Sequence, residues 1–278
     1  MSYNSGAVLC RALESVERVL PTAAVAIREH GSDPAALDLL NEVVKSSQLH
    51  IRLEFDPSNP GFGAGCNALA RRSNADWLLF LNPDAELVAW PWDDTDAPPL
   101  RAITGPWMGS HEETMRHTGR SYGTLDEVRR SWIRRPGERP NGRGFVSGAA
   151  LLVDRSSFDG IGGFDEGYFM FYEDIDLCLR ANDAGIRTIV RDEWIVRHEG
   201  GHSTRSKFGD SLLWSYDSAC RFHRSRGDNL LAYRTYVVID SAARWLMHAA
   251  RRDSRSRQAY GQLFRVALRG SHAIGAGG

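Results

Sequence analysis

Three carboxylates stand within four residues at Glu173-Asp174-Ile175-Asp176, directly after the aromatic run Phe169-Met170-Phe171-Tyr172. An ionised aspartate beside a bound hydroxyl can act as a general base. The residues from Glu173 to Ala184 read as a helix, and the start of a helix favours negative charge. On that helix Glu173 and Asp176 lie three apart and share a face, so Asp174 points elsewhere. Simple charge complementarity explains one acid well and three acids beside aromatics less well. Ninety residues before Asp174, the apolar run Leu78-Leu79-Phe80-Leu81 ends abruptly in Asn82-Pro83-Asp84-Ala85-Glu86. A strand ending in acids puts carboxylates at the carboxyl edge of a sheet, where open α/β sheets bind their ligands. Asp84 there can hold Mg²⁺ or Mn²⁺ while the cation grips a diphosphate, because hard cations take oxygen ligands and few from protein. Pro83 fixes the turn and gives Asn82 and Asp84 defined directions. A solvent-facing turn is the competing reading for any lone Asp.

Two weaker signals flank these. Asn59-Pro60-Gly61-Phe62-Gly63-Ala64-Gly65-Cys66-Asn67 carries three glycines in five residues, which permits close approach of a ligand, and the helix behind offers free N–H groups to an anion. The stretch lacks the Lys-Ser/Thr of a P-loop and the dinucleotide fingerprint. Taken alone it favours tight helix–strand packing. His198 follows a short strand, and a neutral imidazole can ligate a metal. A lone histidine is more often structural, and His202 is a weaker case of the same kind.

These residues need a scaffold. Helical spacing at Ala7–Val19 and Pro34–Val44 alternates with apolar runs at Ala23–Ile27, Ile51–Phe55 and Trp77–Leu81, which predicts a mostly parallel sheet flanked by helices. Further strand character follows at Phe145–Val153, Thr188–Val190 and Trp194–Val196, with a short helix at Arg155–Ile161. Tyr3-Asn4-Ser5-Gly6 reads as the end of a strand and its turn. A central strand of two residues is poor, so either the start is truncated or the sheet edge is unusual. Ser110–Arg143, polar and Gly/Pro-punctuated, reads as a long excursion, either a lid or a variable insertion. From Asp210 onward the pattern is helical and rich in arginine. The expected division is 1–205 catalytic, 206–272 a helical C-terminal appendage and 273–278 a disordered tail.

Composition sets outer bounds. The 278 residues, 42% apolar and 25% charged, suit a globular protein. A net charge of −1 gives no field directed at nucleic acid. Residues 221–269 nevertheless hold eleven arginines against three acids. Together with Trp245, Leu246 and Met247 they suit docking on an anionic membrane face, or else a solvated helical pair. Four cysteines without a C-x-x-C pair read as free thiols in a reducing cytosol. The opening residues carry no signal-peptide pattern, and Leu230–Ala250 is broken by Arg234, Asp240 and Arg244, so it is no membrane span. The expected location is cytoplasmic, peripheral on the inner face of the plasma membrane.

In this order the pieces resemble family 2 glycosyltransferases of the GT-A fold, in particular their bacterial rhamnosyltransferase-like branch. The likeness rests on Tyr3–Gly6, Asn59–Asn67, Asn82–Glu86, Val146–Ala149, Gly162-Gly163-Phe164-Asp165-Glu166, Glu173–Arg180 and His198. It implies that Asn82-Pro83-Asp84 stands for the family's Asp-x-Asp metal motif, with Asp84 and His198 on the metal. It implies Asp174 as the base with Glu173 beside it. Tyr3, Asn4, Asn59, Gly61, Phe62, Gly65, Asn67, Asn82 and Asp84 would hold the donor, and Gly148 and Ala149 would line the sugar or acceptor pocket. Where the family's second strand usually ends in Asp-Asn-x-Ser, this chain has Glu29-His30-Gly31-Ser32, so Glu29 or His30 takes the place of the base-binding acid. The implied activity is inverting transfer of a sugar, from dTDP-rhamnose first and UDP-sugars next, to a glycan or lipid-linked glycan of the cell envelope. A binding-only homologue and a sugar nucleotidyltransferase are the rivals. The latter requires an N-terminal triphosphate loop that the sequence lacks.

Overall fold

The computed structural model describes residues 1–93, 96–108, 118–121, 144–198 and 207–270. The chain runs through α1 (Gly6–Val19), β1 (Ala24–Glu29), α2 (Pro34–Ser46), β2 (His50–Phe55), α3 (Phe62–Ala70), β3 (Trp77–Leu81), β4 (Ala85–Ala89) and β5 (Ala102–Met108). Then come β6 (Thr118–Ser121), β7 (Gly144–Val146), β8 (Ala150–Asp154), α4 (Arg155–Gly160), α5 (Glu173–Asp183) and β9 (Arg187–His198). Three helices follow: α6 (Phe208–Ser225), α7 (Leu230–Ala250) and α8 (Ser254–Arg269). Helix starts obey local chemistry. Asp33, Asn229 and Asp253 each accept a bond from the backbone N–H three residues on, and Pro34 occupies the first turn of α2.

Period-two alternation sorts the strand side chains into two apolar layers. Leu78 and Phe80 of β3, with Leu151 and Val153 of β8, join α3, α4 and α5 on one face. Trp77, Leu79 and Leu81, with Ala150 and Leu152, join α1, α2 and a cluster of Trp90, Trp92 and Trp194 on the other. Burying each large side chain contributes about 1.5–3 kcal/mol.

The sheet differs from the mostly parallel one expected. Five strands lie in the order β3-β8-β5-β9-β4, and only the β5–β9 pairing is parallel. β1 and β2 form a separate parallel pair, beside which Ser2 makes a single bridge to Glu29. Phe145–Val153 is two strands, because Ser147-Gly148-Ala149 turns between them. The two short strands expected after Arg187 are one, with an irregular register between Arg191 and Ile195. The excursion at 110–143 lies outside the described residues except for β6, as do His202 and the tail 273–278.

The arginine-rich region is three helices with an apolar cluster of their own around Leu213, Tyr216, Tyr233, Val237, Tyr260 and Leu263. α6 is shared with the sheet layer: Phe222 is buried in the main core, the Ser218 hydroxyl donates to Met170 O at 2.8 Å, and Arg221 pairs with Asp165 at 2.8 Å. All four cysteines are free thiols. Burial pushes Cys66 and Cys178 up to about 12, which makes them poor nucleophiles at neutral pH.

Candidate active site

Asp84 and Asp174, ninety residues apart in sequence, line one cavity of about 500 Å³, a volume normal for a small-molecule site. The path to Asp84 is topological. The turn 82–84 follows β3, is tied by Asn82 N donating to Ala149 O at 2.9 Å, and leads into β4. β4 pairs with β9 so that Ala85 faces His198. The register therefore sets the residue before β4 beside the last residue of β9, and His198 Nε2 lies 3.2 Å from Asp84 Oδ1. Both side chains are buried. Asn82 Nδ2 approaches the same imidazole nitrogen at 3.5 Å.

On the opposite wall, Phe171 and Tyr172 both have left-handed backbone, φ 70° and 68°, a costly arrangement for two adjacent aromatic residues. It turns the chain sharply into α5 and sets Glu173 and Asp174 at the helix start. Tyr172 is held against Phe222 of α6, ring centroids 5.4 Å apart. Asp174 accepts from Gly148 N and Ile175 N, each at 2.8 Å. Burial raises its pKa above the ordinary carboxylate value, and the two amide donors oppose that rise. Glu173 is supported less: its own backbone N–H opposes the rise, but its Oε2 is buried without a partner among the described residues. Burial, then the charge of Asp174, pushes its carboxyl up to about 8. Of the two, Glu173 is the carboxyl that favours holding a proton, and Asp174, with its two amide donors, is the one equipped to carry the charge. Asp176 is no part of this. It pairs with Arg180 at 2.7 Å, and Arg180 also donates to Ile161 O and Gly163 O, which clamps the glycine turn at 162–163.

The donor candidates divide. Tyr3, Asn59, Gly61, Phe62, Asn82, Asp84, Gly148 and Ala149 line the cavity. Asn4, Glu29, Gly65 and Asn67 do not. The Asn4 amide N–H donates to Ser32 Oγ and its side chain accepts from Asp33 N. Glu29 accepts from Gly31 N, Ser32 N and the Ser32 hydroxyl, which spends its carboxylate on a turn. Gly65 packs against Met1 and His30. Asn67 is bonded to Phe164 and Glu166, so it ties α3 to the 162–166 turn. The glycine-rich stretch is thus mainly a packing device. Gly61 belongs to both roles, because at φ 102° a Cβ there would fall 2.3 Å from Phe169 O. Of the Glu29-His30 pair it is His30 that reaches the cavity. Its Nδ1 lies 2.8 Å from Asp56 O, which makes Nδ1 the donor and leaves Nε2 an acceptor. Burial lowers its pKa, so the ring is neutral.

Lys207 and Trp214 carried no motif in the sequence, yet both line the cavity. Lys207 Nζ lies 4.4 Å from the Tyr3 ring centroid and donates to Tyr3 Oη at 3.2 Å. Trp214 of α6 packs edge-on to Phe169 at 5.1 Å. The start of the C-terminal region, Lys207 and α6, therefore builds part of the site wall.

Among the described residues no three His, Cys, Asp or Glu side chains cluster to hold a metal. The Asp84–His198 pair fits a divalent cation that takes its remaining oxygens from a bound diphosphate rather than from protein.

The cavity thus gathers Asp84, His198, Asp174 and Lys207 in one lining. The profile of Glycosyl transferase family 2 matches residues 1–88. The rhamnosyltransferase WbbL of Escherichia coli (strain K12) is 41% identical over 97 residues, 35% of this chain and 36% of that protein. The N-acetylglucosaminyl-diphospho-decaprenol L-rhamnosyltransferase of Mycobacterium tuberculosis (strain ATCC 25618 / H37Rv) is 32% identical over 206 residues, 61% of this chain and 66% of that protein. The chain thus spans about one third and just under two thirds of the length of these two relatives. In structure it is similar to the mannosyltransferase PcManGT from Pyrobaculum calidifontis, solved with GDP-Man and Mn²⁺, with a TM-score of 0.55, 14% identity, and coverage of 96% of this chain and 85% of that one. That likeness shows the fold, which is GT-A. The profile over residues 1–88 and the rhamnosyltransferase relatives support a family 2 glycosyltransferase of the rhamnosyltransferase-like branch.

Proposed function

We propose that this protein is an inverting glycosyltransferase that moves a sugar from a nucleotide-sugar donor to a hydroxyl of a lipid-linked or cell-envelope glycan. The observation that carries the reading is the shared cavity, with Asp84 and His198 on one wall and Asp174 on another. The rhamnosyltransferase relatives favour dTDP-rhamnose as donor, and UDP-sugars are next. His30 supports a pyrimidine base: its Nε2 is an acceptor, and uracil and thymine each offer an N–H on the ring edge. It takes the place expected of an acid at the end of β1.

Asp84 and His198 would hold Mg²⁺ or Mn²⁺, which when bound supplies positive charge against the leaving diphosphate. Lys207, at the rim beside Tyr3, adds a fixed cation for the phosphates. Asp174 takes the proton of the acceptor hydroxyl. The acceptor oxygen forms its bond to the anomeric carbon as the bond to the diphosphate breaks, and the electron pair leaves with the diphosphate. Attack from the face opposite the leaving group inverts the centre. Phe171, Tyr172 and Trp214 provide apolar walls that position the sugars.

The acceptor's lipid suggests a membrane, and no helix among the described residues is long and apolar enough to cross one. The outer face of α7 is suited to lie on one instead. Leu231, Ile239 and Leu246 are 69%, 65% and 62% exposed, and Thr235, Ala243 and Ala250 continue the same stripe without a charge. Arg224 and Arg226 flank one end, and Arg251, Arg252, Arg255 and Arg257 the other, all exposed. An apolar stripe between basic ends matches an anionic lipid surface.

The test is Asp174→Asn. Transfer should fall roughly 10²–10⁴-fold, the usual share of a general base. Mn²⁺-dependent binding of nucleoside diphosphate should persist. Unchanged turnover removes Asp174 from this role. Metal-dependent binding with no turnover across a donor panel in the parent chain identifies a binding-only protein.

A further inference from the structure

The segment from Asp165 to Tyr172 leads into the helix that carries Asp174, and it contains no helix or strand of its own. Its last two residues have left-handed backbone, which persists only where the surroundings over-determine it. One face of α6 supplies that restraint. Trp214, Ser218, Arg221 and Phe222 stand at i, i+4, i+7 and i+8 of the helix and so lie together. Trp214 packs on Phe169, Ser218 donates to Met170 O at 2.8 Å, and Phe222 meets Tyr172. Arg221 takes the start of the segment. Its Nη2 donates to Asp165 Oδ1 at 2.9 Å and Oδ2 at 2.8 Å, and its Nε to Oδ2 at 3.3 Å.

The guanidinium is wedged as well as paired. Asp165 Oδ1 also accepts from Gly167 N at 2.8 Å, and Arg221 Cζ lies 5.2 Å from the ring centroid of the fully buried Tyr168. A Cβ on Gly167 would fall 2.1 Å from Arg221 Cζ, so the guanidinium rests directly on the Gly167 backbone. On the other side of the same turn, Glu166 is held by Asn67 and Arg71. The Arg221 and Asp165 side chains are 44% and 34% exposed. An ion pair so open to water adds little to global stability, whereas a planar two-toothed fork fixes direction. The direction is carried forward, since the segment ends in the first turn of α5, where Asp174 accepts from Gly148 N at 2.8 Å.

We propose that Arg221, which does not itself line the cavity, is a positioning residue for the reaction: it holds the turn at 165–167, and through the segment that follows it sets Asp174 against the Gly148 N–H. This role rests on the reading of Asp174 as the base. A displacement of about 1 Å at such a group can cost about 10²-fold in rate, so a contact several residues upstream has leverage on turnover without touching a substrate.

Two variants reach the contact from opposite sides. Arg221→Gln removes the fork. Gly167→Ala keeps every charge and hydrogen-bonding group, at a residue whose backbone is not left-handed, and pushes the guanidinium off Asp165. In both, the Gly148 amide should exchange about 10-fold or more faster than in the parent, with the amides of β8 unchanged. In both, kcat should fall about 10- to 100-fold, while donor KM and Mn²⁺-dependent binding of nucleoside diphosphate stay within about 2-fold. Parental exchange at Gly148 in both variants overturns the role, and so does equal acceleration in β8, which marks a general loss of stability. Exchange reads the Gly148–Asp174 bond without any turnover, so a chain that transfers no sugar loses the proposed activity and leaves this measurement standing. Unchanged kcat in both variants, in a chain that Asp174→Asn inactivates, overturns Arg221 alone. A raised donor KM with kcat intact overturns it too, because Arg221 would then serve donor binding.

Discussion

Glu173 and Asp174 are neighbouring buried carboxyls with unequal hydrogen-bond support. The Asp174 carboxylate is met by two amide donors, and the Glu173 Oε2 by none among the described residues. This has a consequence for stability. Glu173 is raised from 4.5 to about 8 in the folded chain, so between those values the folded state holds a proton that the unfolded state has released. The group's contribution is then fully present below its unfolded pKa and is lost as pH rises toward 8, a change on the order of a few kcal/mol. Glu173→Gln keeps a neutral side chain at every pH. Its urea midpoint should decline less than the parent's between pH 5 and 8, and should exceed the parent's at pH 8. Parallel pH profiles for the two proteins would mean that Glu173 is ionised in the fold. For turnover the sign is opposite. As the proposed base Asp174 must be deprotonated, and burial raises its pKa, so kcat/KM should rise with pH as that proton leaves.

At the scale of elements, α7 poses the sharpest question, because a helix of 21 residues presents an uncharged outer stripe to solvent. Replacing Leu231, Ile239 and Leu246 with Glu should abolish co-sedimentation with anionic vesicles and leave the fold unchanged by circular dichroism. Binding of the parent to neutral vesicles should be weak and should not depend on salt. Equal sedimentation of parent and triple variant would end the membrane reading. Point substitutions serve here because truncation before α7 from Arg221 would also remove Phe222 from the main core. Helices and strands whose signal is local were legible in the sequence: α1, α2, β1, β2, β3 and α5 fall within two residues of the periodicity. β5 was missed because Gly105-Pro106 reads as a breaker. In the fold Gly105 is required by Val146, which would lie 2.4 Å from a Cβ, and Pro106 sits where the register with β9 shifts. Pairing direction is not local, and the alternation of strands and helices suggested a parallel sheet where β4 and β8 in fact run antiparallel to their neighbours. The acids of the site were legible by their placement after an apolar run and at a helix start. Lys207 and Trp214 were not, since only the docking of α6 brings them to the cavity. The resemblance implied Asn67 and Glu29 as donor-binding residues, but a hydrogen-bonding side chain serves a turn as readily as a substrate.

For the whole molecule, the cavity spans a seam. Ser2, Tyr3 and His30 come from the β1 side, and Asn82, Asp84 and Asp174 from the five-stranded sheet. Among the described residues, the backbone ladders of β1 and β2 run only to each other and to Ser2, while β5 and β8 are bonded on both sides. α1 is firmly tied to the larger sheet, since Ser15 Oγ accepts from Leu87 N at 2.9 Å and Arg11 pairs with Glu86 at 3.0 Å. The unit with the fewest backbone ties to the larger sheet is therefore β1, α2 and β2, held to the rest by apolar packing and by side-chain bonds such as Ser47 Oγ to Glu17 and Arg52 Nη1 to Arg72 O. In the 278-residue chain, amides of β1 and β2 should exchange through a sub-global opening, about 100-fold faster than those of β5 and β8, which wait for global unfolding. A ligand bound across the seam stabilises the closed form by mass action. Addition of dTDP or UDP with Mn²⁺ should slow exchange in β1 and β2 and leave β5 and β8 nearly unchanged. Uniform protection of all four strands without ligand would show that the seam does not open on its own. Slowing confined to β5 and β8 would place the nucleotide away from His30 and Tyr3. The expected pattern makes the donor itself the clasp that holds the two sheets in register, with binding and closure of the fold as one equilibrium.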